Sequence, residues 1–125
     1  MSTHDLGDVR ILVIDDEPGV RHVVSRMLQR YGIPGTCVGS AREARSLLET
    51  DSTFHIALVD RDMPDEPGEA VIADLRRALP DARVVYFTGE PLDEDELTLV
   101  DGIITKPLDG RKLVDDLRRI LGGGS

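Results

Sequence analysis

The chain has 125 residues, 40% of them hydrophobic and 31% charged, which suits one soluble globular domain and is too short for two independent ones. Fifteen basic residues against 24 acidic leave a net charge of −9, the wrong sign for direct binding of nucleic acid through its phosphates. No apolar run reaches membrane-spanning length, no signal peptide opens the sequence, and the single Cys37 excludes an internal disulfide, which together favour the cytoplasm.

Residues 1–8 read as an N-terminal extension. The apolar run 9–14 then predicts a buried strand that passes straight into Asp15, Asp16, Glu17 and Pro18. Val20, Val23, Val24, Met27, Leu28 and Tyr31 share one face of a helix that Gly32 ends. A short second strand, 36–38, carries Cys37 as a buried residue. Ser40 and Glu43 fit a capping box for a second helix whose apolar stripe is Ala44, Leu47 and Leu48.

The third strand is predicted at 55–59, and Val71, Ile72, Leu75 and Leu79 mark a third helix stopped at Pro80. The fourth strand is predicted at 84–87. Residues 89–102 are short, densely charged at 93–96 and poor in apolar positions, so they predict a fourth helix of at most about two turns. Residues 103–104 form a fifth strand, and Leu113, Val114, Leu117, Ile120 and Leu121 mark the last helix. Residues 122–125 read as a flexible tail, either a linker or a cloning scar. His4, His22 and His55 show no metal-ligand spacing. Strands alternating with helices predict a doubly wound α/β domain over 9–121, with a five-stranded parallel sheet covered on both faces.

In such a sheet, sites form beyond the carboxyl ends of the strands. The first strand ends at Asp15 and Asp16, the third at Asp60 and the fourth at Thr88, while the fifth runs into Lys106 and Pro107. Each residue alone has an ordinary role as turn former, helix cap or surface charge. Together they put three carboxylates, a hydroxyl and an ammonium on one edge, which reads as a magnesium-dependent phosphoryl acceptor site. Adjacent carboxylates repel unless a cation collects between them, and Mg2+ prefers oxygen ligands. Asp60 is the candidate nucleophile, Asp16 with help from Asp15 the metal holder, and Thr88 and Lys106 the groups that hold phosphoryl oxygens.

The constellation "VIDDEPG", "LVDRDMPDEPG", "YFTGE" and "ITKP" resembles the receiver domain of two-component response regulators, and the likeness runs over residues 9–121. The resemblance implies a flavodoxin-like strand order 2-1-3-4-5. It implies that Asp60 takes a phosphoryl group from phosphohistidine on a histidine kinase or histidine phosphotransfer protein, and then switches conformation. The ligands of Mg2+ would be Asp15, Asp16, Asp60 and the backbone carbonyl of Asp62. Thr88 would be the switch hydroxyl, Lys106 the family's lysine, and Pro107 the residue after a cis peptide bond. Such a domain is no enzyme beyond its own phosphorylation and slow dephosphorylation. The kinase would dock at the first helix near Pro18, Val20 and Val24, beside Pro107 and Leu108.

The chain departs from its relatives where Ile103 stands at a position that is often aromatic, and in a shortened fourth helix, which disfavours dimerisation through that face. Asp62 and Glu90 occupy positions that resemble those flanking the phosphoryl group and are expected to modulate its lifetime. The "FTGE" turn and the short helix look more like receivers fused to hybrid histidine kinases than like those fused to DNA-binding outputs. The sequence also raises two alternatives. One is a receiver-like module that binds partners without phosphorylation. The other is a haloacid dehalogenase-type phosphatase, whose aspartate-x-aspartate resembles Asp60-Arg61-Asp62.

Overall fold

The computed structural model describes residues 6–106 and 109–122. After a 3-10 turn at Leu6–Asp8, strands and helices alternate: β1 Ile11–Ile14, α1 Pro18–Arg30, β2 Gly35–Val38, α2 Ala41–Leu48, β3 Ile56–Asp60, α3 Gly68–Ala78, β4 Arg83–Thr88, α4 Glu94–Leu99, β5 Gly102–Thr105 and α5 Gly110–Leu121. All four strand pairings are parallel and give the order β2-β1-β3-β4-β5, as expected.

The strands are apolar on both faces because both faces are covered, and period-two alternation sorts their side chains into two cores. Ile11, Val13, Ile56, Leu58, Val85, Phe87 and Ile104 pack with Val24 and Leu28 of α1 and Leu113 and Leu117 of α5. Leu12, Ile14, Ala57, Val59, Val84 and Tyr86 pack with Ala41 and Ala44 of α2 and Val71, Ile72 and Leu75 of α3. Leu6 joins the first core, so the N-terminal segment is anchored from that residue onward.

Several local expectations shift. Within the α1 stripe, Val23 and Tyr31 are each 45% exposed, because α5 covers only part of that face. Gly32 does end the helix, with φ of +69°, a conformation that costs little only without a Cβ. Cys37 is half-buried, because β2 is an edge strand. Its thiol pKa is nevertheless raised, chiefly by burial.

Ser40 accepts from the Glu43 amide as predicted, but the Glu43 carboxylate returns to the amide of Gly39 and not to that of Ser40. The reciprocal capping box belongs to α4, where Asp93 and Glu96 each bond the other's amide. That box lets a helix of only six residues start cleanly. Leu79 lies just beyond α3, as its C-cap, and is buried.

Candidate functional site

Asp15, Asp60 and Thr88 lie at the carboxyl ends of adjacent strands β1, β3 and β4, and all three are buried. Asp15 is both turn former and site carboxylate: its Oδ1 accepts from the amide of Glu17 at 2.9 Å, closing the turn into α1, and its Oδ2 faces the site. The guanidinium of Arg21 fixes the same turn by donating to the Asp15 carbonyl at 2.7 Å. Pro18 starts α1, where its missing N–H costs nothing.

One oxygen each from Asp15, Asp16 and Asp60 lie within 4.8 Å of one another, with Asp16 exposed and the other two buried. The Lys106 ammonium bridges the deep pair, at 2.9 Å from Asp15 and 3.5 Å from Asp60. Its backbone amide donates to the Thr88 carbonyl, extending the β4–β5 ladder and aiming the side chain inward. The ammonium also sits 4.7 Å from the centre of the Phe87 ring, a floor that the sequence reading did not single out.

Burial first, then the negative charge of Asp15 and a hydrogen bond with Asp16, push the Asp60 carboxyl up to about 6. The amide of Asp62, which donates to Asp60 Oδ1 at 3.0 Å, and the charge of Lys106 oppose that rise. For Lys106, burial alone would lower the ammonium, but its contacts with Asp15 and Asp60 outweigh it and the pKa is raised.

Three oxygen donors at this spacing fit a hard divalent cation such as Mg2+, with room left for water. A bound cation would draw Asp60 into its ionised form and screen the repulsion among the three carboxylates.

The remaining predicted residues fall around this core. The Thr88 hydroxyl accepts from the Glu90 amide at 3.1 Å and donates to the Glu90 carbonyl at 3.2 Å, so it is engaged with the following loop. Glu90 is exposed at the rim. The Asp62 side chain points to solvent and is 3.8 Å from the Arg61 guanidinium. Ile103 is half-buried on β5, away from the carboxylates, and lines a cavity of about 660 Å³ with Leu97, Arg83 and Arg119. Pro107, with its expected cis bond, and Leu108, with its part of the expected docking face, lie outside the described residues.

Beside Lys106 a cleft of about 600 Å³ opens between Glu17, Val20, Val23, Phe87 and Gly89. Val24 is completely buried and cannot contact a partner; Val23, one residue earlier, is the exposed branched residue on this face. Helical phase identified the apolar stripe but not which of its residues α5 leaves uncovered.

Arg61 is a further residue at the site that sequence reading did not single out. Its amide donates to the Phe87 carbonyl at 3.2 Å and its guanidinium grips Glu96 of α4 in two bonds, at 2.8 and 3.1 Å.

Among known proteins, the family described as "Response regulator receiver domain" matches residues 11–118. The chain is 32% identical over 107 residues to Sensor protein TorS of Escherichia coli (strain K12), covering 82% of this chain and 12% of that protein. It is 29% identical over 115 residues to Response regulator SaeR of Staphylococcus aureus (strain USA300), covering 89% of this chain and half of that protein, 50%. The chain thus spans no more than half of either relative. Chemotaxis protein CheY4 of Vibrio cholerae superposes with a TM-score of 0.82 at 23% identity, over 90% of this chain and 98% of that one, a likeness of fold.

Proposed function

This chain belongs to the family of response regulator receiver domains, and from that premise we propose that it accepts a phosphoryl group from phosphohistidine onto Asp60 and changes conformation in response. The observation that carries the reading is the convergence of Asp15, Asp16 and Asp60 within 4.8 Å, with the Lys106 ammonium reaching two of them. Magnesium would be held by the Asp15, Asp16 and Asp60 carboxylates and the Asp62 carbonyl. Its contribution there is charge screening between the attacking carboxylate and the phosphoryl oxygens.

The Asp60 carboxylate attacks phosphorus in line with the departing imidazole. The new O–P bond replaces the P–N bond, and the imidazole takes up a proton as it leaves. Lys106 pairs with one phosphoryl oxygen as a point charge, leaving Asp60 for the newcomer while keeping its bond to Asp15. Thr88 donates its hydroxyl to another, which requires giving up the Glu90 carbonyl. Hydrolysis is slow, and the chain turns over no other substrate. Glu90 and Asp62 at the rim set the lifetime of the acyl phosphate; unchanged decay in Asp62→Asn and Glu90→Gln would remove them from that role.

The phosphodonor is a histidine kinase or histidine phosphotransfer protein that docks over the cleft at Val20 and Val23. Val20→Asp should slow transfer from it while sparing phosphorylation by acetyl phosphate. Fusion to a kinase or an output domain agrees with the chain's spanning only part of TorS and SaeR. Neither the phosphatase nor the phosphorylation-independent module is favoured: Asp60 ends the third strand and converges with a separate acidic pair, Asp15 and Asp16, that follows the first.

Intact mass after incubation with acetyl phosphate tests the reading. A single phosphoryl adduct that requires Mg2+ and is lost in Asp60→Asn is expected; no adduct, with Mg2+ still bound, would favour the phosphorylation-independent module.

A further inference from the structure

Helix α4 has no buried residue along its six positions. Its one packed apolar side chain is the half-buried Leu99, which leans on the second core, and polar contacts hold both of its ends. At its C-terminal end Arg76 of α3 donates to the Leu99 carbonyl and to the Asp101 carboxylate, each at 2.9 Å. At its N-terminal end the holder is Arg61, the residue that follows the acceptor aspartate.

The Arg61–Glu96 pair is placed to feel any movement of the loop after β4. Arg61 is fixed from below, because its amide continues the β3–β4 ladder. Glu96 is fixed from above, because the carboxylate that Arg61 grips also accepts the Asp93 amide, while Asp93 accepts the amide of Glu96. The cap of α4 therefore moves as one unit with Glu96. Only residues 89–92 separate that cap from Thr88, whose hydroxyl is held by the backbone of Glu90. If Thr88 turns toward a phosphoryl group, the Glu90 backbone is released, and so short a connection passes the displacement to Asp93. The bond between Arg61 and Glu96 is where that displacement meets resistance, with side chains only 27% and 20% exposed.

We propose that the Arg61–Glu96 pair is a brake on the response, holding α4 and the 89–93 connection in the resting arrangement. Arg61 is in this sense a positioning residue for the switch. The inference rests on the phosphoacceptor reading and adds to it the side chains that set the resting equilibrium in this chain. A ligand that favours the switched arrangement binds more tightly when the resting one is weakened.

The test uses beryllofluoride, a tetrahedral mimic of the phosphoryl group, titrated calorimetrically with Mg2+ into the chain and into Arg61→Gln and Glu96→Gln. Glutamine at position 96 can still accept the Asp93 amide, so the cap survives while the ion pair is lost. A simple field effect on an anion predicts opposite signs, with weaker binding when the arginine is lost and tighter binding when the glutamate is lost. The brake predicts tighter binding in both, by about threefold to fivefold, the scale of a partly exposed ion pair, with Arg61→Lys partly restoring the original affinity. Opposite signs, or no change in either variant, would overturn the brake alone. Failure of the unaltered chain to bind beryllofluoride would overturn the phosphoacceptor reading and the brake with it.

Discussion

Strands β1, β3 and β4 hold the site on completely buried residues such as Val13, Ile14, Leu58 and Phe87, and the carboxylates of Asp15 and Asp60 are themselves buried at their ends. The next elements along the sheet are built otherwise: β5 has a single buried residue, Ile104, α4 has none, and arginines from the neighbouring elements hold α4 at both ends. Close-packed apolar contacts fix position tightly and change little without large cost, whereas partly exposed ion pairs are individually weak and exchange partners easily. The division suits a domain that must present a phosphoryl site of constant shape and yet report its occupancy. On the proposed function, chemistry falls to the packed side and response to the polar side.

That contrast can be broken by substitution. Leu58→Ala, in the middle of β3, should cost about 2–5 kcal/mol of unfolding free energy, read as a shift of the urea midpoint. Asp101→Ala removes the carboxylate that accepts both the Val84 amide and Arg76, and should cost about 1–2 kcal/mol. Leu97→Ala, an exposed position on α4, should stay within about 0.5 kcal/mol. A loss at Leu97 comparable to that at Leu58 would mean that α4 is packed like the rest.

The two sides should also differ in the sign of their pH dependence. Asp60 is raised in the folded chain, so without a divalent cation the folded state holds this proton more tightly than the unfolded one. Stability from this group is full below about pH 4 and is lost as pH rises to about 6. Asp60→Asn should therefore raise stability at neutral pH by on the order of 1–2 kcal/mol and remove that slope, measured as the difference between the two unfolding curves across pH. Asp101 has the opposite sign. Burial works to raise it, but the Val84 amide and Arg76 prevail and lower it, so its contribution is present above about pH 4 and is lost on acidification. Arg61→Gln and Glu96→Gln should leave the unfolding curve nearly unchanged while shifting beryllofluoride affinity.

The packed side was largely legible in the sequence. Asp15, Asp16, Asp60, Thr88 and Lys106 each follow a short apolar run, and a parallel sheet sends every such end to one edge. The polar side was not, because an arginine on a loop and a glutamate inside the run "DEDE" carry no mark of their pairing across 35 positions. The same run concealed the capping box of α4: Asp93 and Glu96 fit the pattern as well as Ser40 and Glu43 do, and only the backbone path decides which pair closes in both directions. Val23 and Val24 show the limit of periodicity, since neighbouring positions of one stripe differ from 45% to 0% exposure according to where α5 lies. Cys37 was read as buried without regard to strand order, and order made β2 an edge.

Amide hydrogen exchange, followed residue by residue by NMR with and without Mg2+ and beryllofluoride, tests the division most directly. The amides of β1, β3 and β4 should exchange only through global unfolding and be insensitive to the ligand. Those of α4 and the 89–93 connection should exchange through a lower-energy opening and change most on binding. Protection of α4 equal to that of β3, unaltered by beryllofluoride, would contradict the account.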